Sequence, residues 1–266
     1  MAGIATRYRN IKAELNQLCA EFDSNLKFKK KTEQYNTFIT CLNCMAIGAL
    51  MIDTDIDSFG RNLIRGAVNW KRLLEHSKEI NKVVPSSYNS TVFNAIVCSR
   101  MDLAKELLLL SGTEKTRWEY DDEFYSAMFV KEYFLTNFTE YEARSDLKKI
   151  CDEIDDYLEK RTPQVQFYRA LLSNDPGKII SAFEEWNEDI AEKRKEKADS
   201  LYSTYYEGIT RHVWLEGLTF IRLGELKGLV FPETIPLIPP FIRQMDSVPD
   251  YNDIILGRTQ ELPETL

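Results

Sequence analysis

Residues 212–243 read HVWLEGLTFIRLGELKGLVFPETIPLIPPFIR. Placed on a helix, Val213, Trp214, Leu215, Leu218, Phe220, Ile221, Leu223 and Leu226 point in nearly every direction, the mark of a helix enclosed by others. Gly217, Gly224 and Gly228 fall close to one face, where a neighbouring backbone can approach. The helix is expected to stop at Gly228. Pro232, Pro236, Pro239 and Pro240 then impose an extended path, because proline removes amide donors and disfavours helix in the residue before it. The stretch predicts a central core helix followed by a proline-rich strap, residues 231–266, held down by Ile235, Leu237, Ile238, Phe241 and Ile242.

The rest of the chain carries the same period. Segments 4–22, 35–52, 58–80, 88–98, 102–111, 121–136, 140–160, 164–173, 177–196 and 200–227 place apolar residues at three- and four-residue spacing, and none shows sustained strand alternation. Breaks fall on turn chemistry: Asp57 or Ser58 as a helix cap in DTDIDS, the VVPSS before Tyr88, SGTEKT at 111–116, and Pro163 in a first helical turn. Two stretches, AIVCSRMDLAKELLLLS and RALLSNDPGKIISAFEEW, run helix, short Ser-led turn, helix. Links so short require antiparallel packing, as in the hairpins stacked in solenoids. The expected fold is all-α: a multi-helix bundle or short solenoid of antiparallel hairpins, with residues 1–230 as one domain and the strap packed on it.

Composition narrows the function. The 266 residues are 44% apolar and 12% aromatic, enough for a sizeable core, and the net charge is −8. That charge repels phosphate backbones, so nucleic acid is not an expected partner and a basic protein is a better one. The five cysteines (Cys19, Cys41, Cys44, Cys98 and Cys151) sit inside apolar helical runs without the spacing of a disulfide scaffold. The N-terminal MAGIATRYRNIKAELNQL lacks the continuous apolar core of a secretory signal. Both features predict a reducing, cytoplasmic location. KFKKK (27–31) before FITCLNCMAIGALMI (38–52) resembles a membrane anchor, but 15 residues fall short of the about 20 a span requires, so a buried core helix is the expectation and no membrane partner is expected.

Catalytic signatures are missing. Only His76 and His212 are present, and the sequence holds no Gly-rich phosphate loop, nucleophile elbow or His-Glu-x-x-His motif. CLNC (41–44) has half-site spacing but no second pair of ligands, and reads as small buried hydrophobes. DTDIDSFG (53–60) alternates carboxylates as a calcium loop does, yet Ser58 and Ile64 stand where that loop needs glycine and glutamate. No metal or cofactor is expected. His212 with Glu216, and Arg222 with Glu225, have helical spacing for contact and should be paired in the interior or line a cleft.

Nine aromatics stand between residues 118 and 141: Trp118, Tyr120, Phe124, Tyr125, Phe129, Tyr133, Phe134, Phe138 and Tyr141. They exceed what one helix face can bury and are interleaved with Asp121, Asp122 and Glu123. Two further acidic runs, with Asp152, Asp155 and Asp156, and with Glu184, Glu185 and Glu188, sit on other helices. Exposed aromatic anchors rimmed by carboxylates suit a partner rich in Lys and Arg, so Trp118, Tyr120 and these carboxylates form the candidate partner-binding set.

The late helix YYEGITRHVWLEGLTFIRLGELKGL and the IPLIPPFI after it resemble the immunity protein 49 family of bacterial polymorphic toxin systems. The resemblance rests on an aromatic and Glu pattern, a terminal glycine and prolines, and covers the last third of the chain. It implies a cytosolic antidote that binds a cognate toxin domain and blocks it without catalysis; it brings no catalytic residues. Two other classes remain: a helical scaffold or regulator that binds a different partner, and an enzyme with a cleft near His212, Glu216, Arg222 and Glu225.

Overall fold

The computed structural model describes residues 2–23, 25–138, 147–199 and 206–256. Regular structure among them is helical, as expected for an all-α bundle. The first three helices are α1 (Ala2–Glu21), α2 (Phe28–Asp53) and α3 (Ile56–Glu79). They form an antiparallel layer in which α2 lies between the other two.

Helix α2 begins seven residues before its apolar period does. FKKKTEQ consists mostly of good helix formers, and Lys29 and Glu33 make an i,i+4 pair (3.8 Å), so the helix extends through a polar turn that apolar spacing does not mark. Among the described residues α2 is long and apolar enough to cross a membrane, but 67% of that window is buried inside the protein. Its partners there are α1, α3 and the short α10 (Glu207–Thr210). The α2–α3 corner corrects the expected cap. Thr54 takes a left-handed φ of 57°, and Asp55, two or three residues earlier than anticipated, accepts a hydrogen bond from the Ser58 amide (2.9 Å).

A one-turn 3₁₀ helix at Ser86–Tyr88 leads into α4 (Thr91–Val97), which Ser99 (φ 57°) joins to α5 (Met101–Leu110). The second hairpin is α8 (Pro163–Ser173) and α9 (Pro176–Asp199). Thr162 caps α8 with Pro163 in its first turn, and Asn174 (φ 53°) ends it. The two hairpins share this local design but not their surroundings. Helix α4 packs against α3, α5 and α11 (Leu215–Leu226), the helix in the opening stretch, whereas α8 packs against α9 and α7 (Leu147–Leu158). Between them runs α6 (Asp121–Phe138), packed on α5 and α7. Residues 140–146 of the expected 140–160 helix, and 200–205 of the expected 200–227 helix, lie outside the described residues.

The opening stretch departs from expectation in one respect. The helix is broken into α10 (Glu207–Thr210) and α11 (Leu215–Leu226). The cause is competition for backbone groups. Trp214 is extended (φ −102°, ψ 92°) and its amide donates to Leu237 O in the strap (2.9 Å), while Arg194 donates to the carbonyls of Thr210 (2.8 Å) and Val213 (2.9 Å). Donors and acceptors that a continuous helix would pair internally are taken by α9 and the strap. Helix α11 ends as the glycine predicts: Gly228 adopts φ 82°, its amide reaches Glu225 O (2.9 Å), and the Leu229 amide reaches Gly224 O (2.9 Å). Leu226, expected inside, is exposed instead.

Aromatics fill the core where α6, α8, α9 and α11 converge. Phe220 meets Phe167 (ring centroids 5.0 Å) and Phe134 (5.4 Å), Trp186 meets Trp214 (4.6 Å), and Phe129 stacks on Tyr168 (4.0 Å). The strap then crosses the bundle. Ile235, Ile238 and Ile242 are buried as expected, but Phe241 is 50% exposed. Asn187 donates to Pro236 O (2.9 Å), the Val248 amide to Cys98 O (3.1 Å), and Asn69 to Ile254 O (2.9 Å). Arg65 pairs with Asp253.

Arg222, expected to pair with Glu225, instead clasps three elements, donating to Val97 O (2.6 Å), Met245 O (2.8 Å) and Ser99 Oγ. Glu225 takes Arg243 of the strap. Arg222→Ala removes the donor to Val97 O and one of two donors to Met245 O, which keeps Ser99 Oγ. It should cost about 1–3 kcal/mol and speed hydrogen exchange of the Val248 amide, which only an intact strap protects.

Candidate functional site

The buried Glu119 organises the aromatic and acidic surface. Its carboxylate accepts from the Ser87 amide (2.9 Å) and Ser87 Oγ (3.0 Å), and from the Thr116 amide (2.9 Å) and Thr116 Oγ1 (2.8 Å). One side chain thereby ties the 3₁₀ turn to the loop before α6 and fixes Trp118 and Tyr120 on either side of it. Sequence reading passed over Glu119. Its signal was a carboxylate in a loop flanked by hydroxyl residues.

The expected aromatics divide sharply. Phe129 and Phe134 are core, and Phe124, Tyr125 and Tyr133 are half-buried. Trp118 is 39% exposed and Tyr120 66%. The side chains of Phe138 and Tyr141 lie outside those described. The rim of Trp118 is not the carboxylate rim anticipated: Glu33 and Glu114 share its groove, but cations outnumber them. Lys29 lies over its ring at 5.1 Å and Arg117 at 5.2 Å, at the wall of a groove of about 670 Å³ that also holds Lys27, Lys82 and Lys115.

The carboxylates also sort by geometry. Asp121, Asp122 and Glu123 occupy the first turn of α6, where the helix dipole favours them. Asp121 pairs with Lys115 (2.5 Å), and Asp152 and Asp155 of α7 both pair with Arg169 of α8 (2.6 and 2.9 Å). These three are spent on internal ion pairs. The two acidic runs of α6 and α7 are nevertheless adjacent: the helices pack on each other and Tyr125 hydrogen-bonds Glu153. Tyr120, Tyr157, Asp156 and Glu123 are exposed and Asp122 is half-buried. The α9 carboxylates Glu184, Glu185 and Glu188 are exposed too; Glu185 shares a shallow groove with Arg169, across α8 from the α6–α7 face.

A second feature lies behind this surface. A pocket of about 250 Å³ is lined by Ser90, Val92, Phe93, Leu108, Glu123, Lys131, Tyr168 and Glu216. Helix α11 brings Glu216 there because the helix is interrupted at 211–214, which separates it from His212. The expected His212–Glu216 contact is therefore absent: His212 lies outside α11 and takes a 3.3 Å hydrogen bond from Arg211 Nε. Burial, then the Arg211 charge, holds the His212 imidazole below its usual range. Burial pushes the Glu216 carboxyl up to about 7, tempered by a hydrogen bond from Trp214 and by the Arg194 charge. Burial and the Glu216 charge raise the Tyr168 phenol, which Gln164 (2.9 Å) and Ser126 hydrogen-bond. Lys131, at the opposite wall, donates to Ser111 O (2.6 Å), and burial lowers its pKa.

No protein-family model, curated protein or solved structure matches the chain. The site must be read from its own chemistry. All five cysteines are buried free thiols, and burial raises the pKa of each. Cys41 and Cys44 pack against Tyr206, with Cys41 Sγ 3.9 Å from its hydroxyl and Cys44 Sγ 3.9 Å from its carbonyl. Among the described residues no group of three or more His, Cys, Asp or Glu side chains is placed to hold a metal.

Proposed function

We propose that this chain is an immunity-type binding protein that captures a basic toxin domain and blocks it by occlusion, without catalysis. The observation that supports this reading is the junction of α6 and α7. There, exposed Tyr120 and Tyr157 stand among the carboxylates of two helices whose backbones are fixed by the core. Amphipathic aromatics on rigid elements contribute contact area at little entropic cost, and surrounding carboxylates select and steer a cationic partner. The net charge of −8 extends that steering beyond the contact face. The resemblance of the last third to immunity proteins points the same way. A cytoplasmic site of action goes with this proposal.

The geometry selects the residues for a clean test. Reversing Asp121, Asp152 or Asp155 would break an internal ion pair, so loss of binding there would be ambiguous. Asp122, Glu123 and Asp156 make no such pair among the described residues. Affinity capture from the native cell should yield a stoichiometric basic domain encoded beside this chain. The triple variant Asp122→Lys, Glu123→Lys, Asp156→Lys should then bind it at least tenfold more slowly at low salt, while Glu184→Lys on α9 should leave the rate within about twofold. Equal rates for wild type and the triple variant would remove the assignment of this face. A captured partner that is not a toxin domain would remove the immunity reading.

A further inference from the structure

The groove beside Trp118 carries charge of the opposite sign to the molecule as a whole. Lys27, Lys29, Lys82, Lys115 and Arg117 line it, against Glu33 and Glu114, in a chain of net charge −8. Two of these cations are engaged, Lys115 with Asp121 (2.5 Å) and Lys29 with Glu33 at a long 3.8 Å. Lys27, Lys82 and Arg117 are exposed and make no ion pair among the described residues. The first turn of α2 lines the same groove. It holds no acidic residue and Lys27 gives it no side-chain cap, so the positive end of that helix adds to the excess. Apolar surface accompanies the charge: Phe28, Tyr88, Val83 (41% exposed) and Trp118. The walls are fixed in advance, because Glu119 joins Ser87 to Thr116, Ser86 Oγ donates to Gly112 O (3.0 Å) and Thr32 Oγ1 donates to Phe28 O (3.0 Å). At about 670 Å³ the groove falls within the range of about 300–1,000 Å³ for small-ligand sites. Three unpaired cations match more negative charge than one carboxylate carries, and the Arg117 guanidinium has the planar fork that grips phosphate oxygens. The partly exposed indole and its apolar neighbours offer contact area to a flat ring.

We propose that this groove binds a free nucleotide, a planar base carried on two or more phosphates. Lys27, Lys82 and Arg117 meet the phosphates, and Trp118, Phe28 and Val83 meet the base. A mononucleotide confines its charge to the groove, whereas a nucleic-acid strand would extend over a surface whose net charge repels it. The site takes the opposite charge to the α6–α7 face and does not rest on the toxin-binding proposal.

The test is a titration of the ¹⁵N-labelled full chain at about 0.15 M salt, where long-range attraction is screened, followed by amide chemical shifts. The probes are ADP, GDP and UDP, each set against its uncharged nucleoside and against inorganic pyrophosphate. At least one diphosphate should shift the amides of Lys29, Lys82 and Trp118 with an affinity about tenfold or more above both comparators. The triple variant Lys27→Gln, Lys82→Gln, Arg117→Gln should lower that affinity about tenfold or more. The variant Lys193→Gln, Lys195→Gln, Lys197→Gln on α9 makes the same change in net charge and should leave it within about twofold. Affinity ratios among the probes are read on the wild type, so the proposal stays open to refutation whatever the variants do. Three nucleotides that leave those amides unmoved would overturn it. So would pyrophosphate binding as tightly as the nucleotide, which would leave only an anion patch, or the nucleoside doing so, which would leave only an apolar cleft. A groove variant that binds as the wild type does, or an α9 variant that loses as much affinity as the groove variant, would overturn it as well.

Discussion

Phe220→Ala should destabilise the protein by about 3–5 kcal/mol, the range for removing a fully packed phenylalanine from a core. Phe220 is 3% exposed and lies at the crossing of four helices. Its ring meets Phe134 of α6 at 5.4 Å, Phe167 of α8 at 5.0 Å, Trp186 of α9 at 5.9 Å and Tyr168 at 6.4 Å. Aromatic neighbours are rigid, so they collapse poorly into the space and leave a cavity that adds to the lost transfer free energy. Leu226, six residues on in the same helix, is 74% exposed, and Leu226→Ala should stay within about 0.5 kcal/mol. Urea unfolding followed by circular dichroism separates the two. A Phe220→Ala midpoint shift no larger than that of Leu226→Ala would mean the aromatic junction is not the core of the fold.

The second large effect is one of pH. The Glu216 carboxyl moves from 4.5 to about 7 on folding, chiefly by desolvation. Between those values the native state keeps a proton that the unfolded chain has released, so stability falls as pH rises through this window. Above pH 7 both states are ionised and the whole penalty stands, about 3 kcal/mol at about 1.4 kcal/mol per pH unit. Glu216→Gln should therefore match the wild type near pH 4.5 and exceed its stability by about 3 kcal/mol at pH 8. His212 acts in the opposite sense: its lowered folded pKa makes stability rise with pH through the imidazole range. It is common to both proteins and cancels in the difference. A stability difference that does not change between pH 4.5 and 8 would show that this carboxyl is not desolvated.

The helices were legible because burial imposes a period, and the errors fall where something other than periodicity decided. Helix α2 starts among lysines that no apolar spacing reports. The break before α11 is invisible locally because its cause lies at Leu237 and Arg194, remote in sequence from Trp214. Gly228 and Pro163 were readable because each fixes its own backbone. The site divides in the same way. Tyr120 and Trp118 were identified because nine aromatics cannot share one buried face, but the charge around Trp118 was misjudged. Lys29 comes from the far end of α2, and apolar spacing carries no record of that approach. Glu216 stood out as a carboxylate among apolar residues, so an interior or cleft position was foreseeable. Its companions Tyr168 and Ser126 come from two other helices and were not.

The strap has a consequence for biosynthesis. Arg65 and Asn69 on α3 find their partners in Asp253 and Ile254, residues 188 and 185 positions later in the chain. A ribosome adds about 5–20 residues per second, so these buried polar groups of the nascent helix wait roughly 10–40 s for the segment that satisfies them. During that interval the α2–α3 layer exposes a long apolar helix beside unpaired donors, the kind of surface that chaperones retain. Cellular yield of this protein is then governed as much by how quickly residues 245–256 arrive as by how stable the finished bundle is.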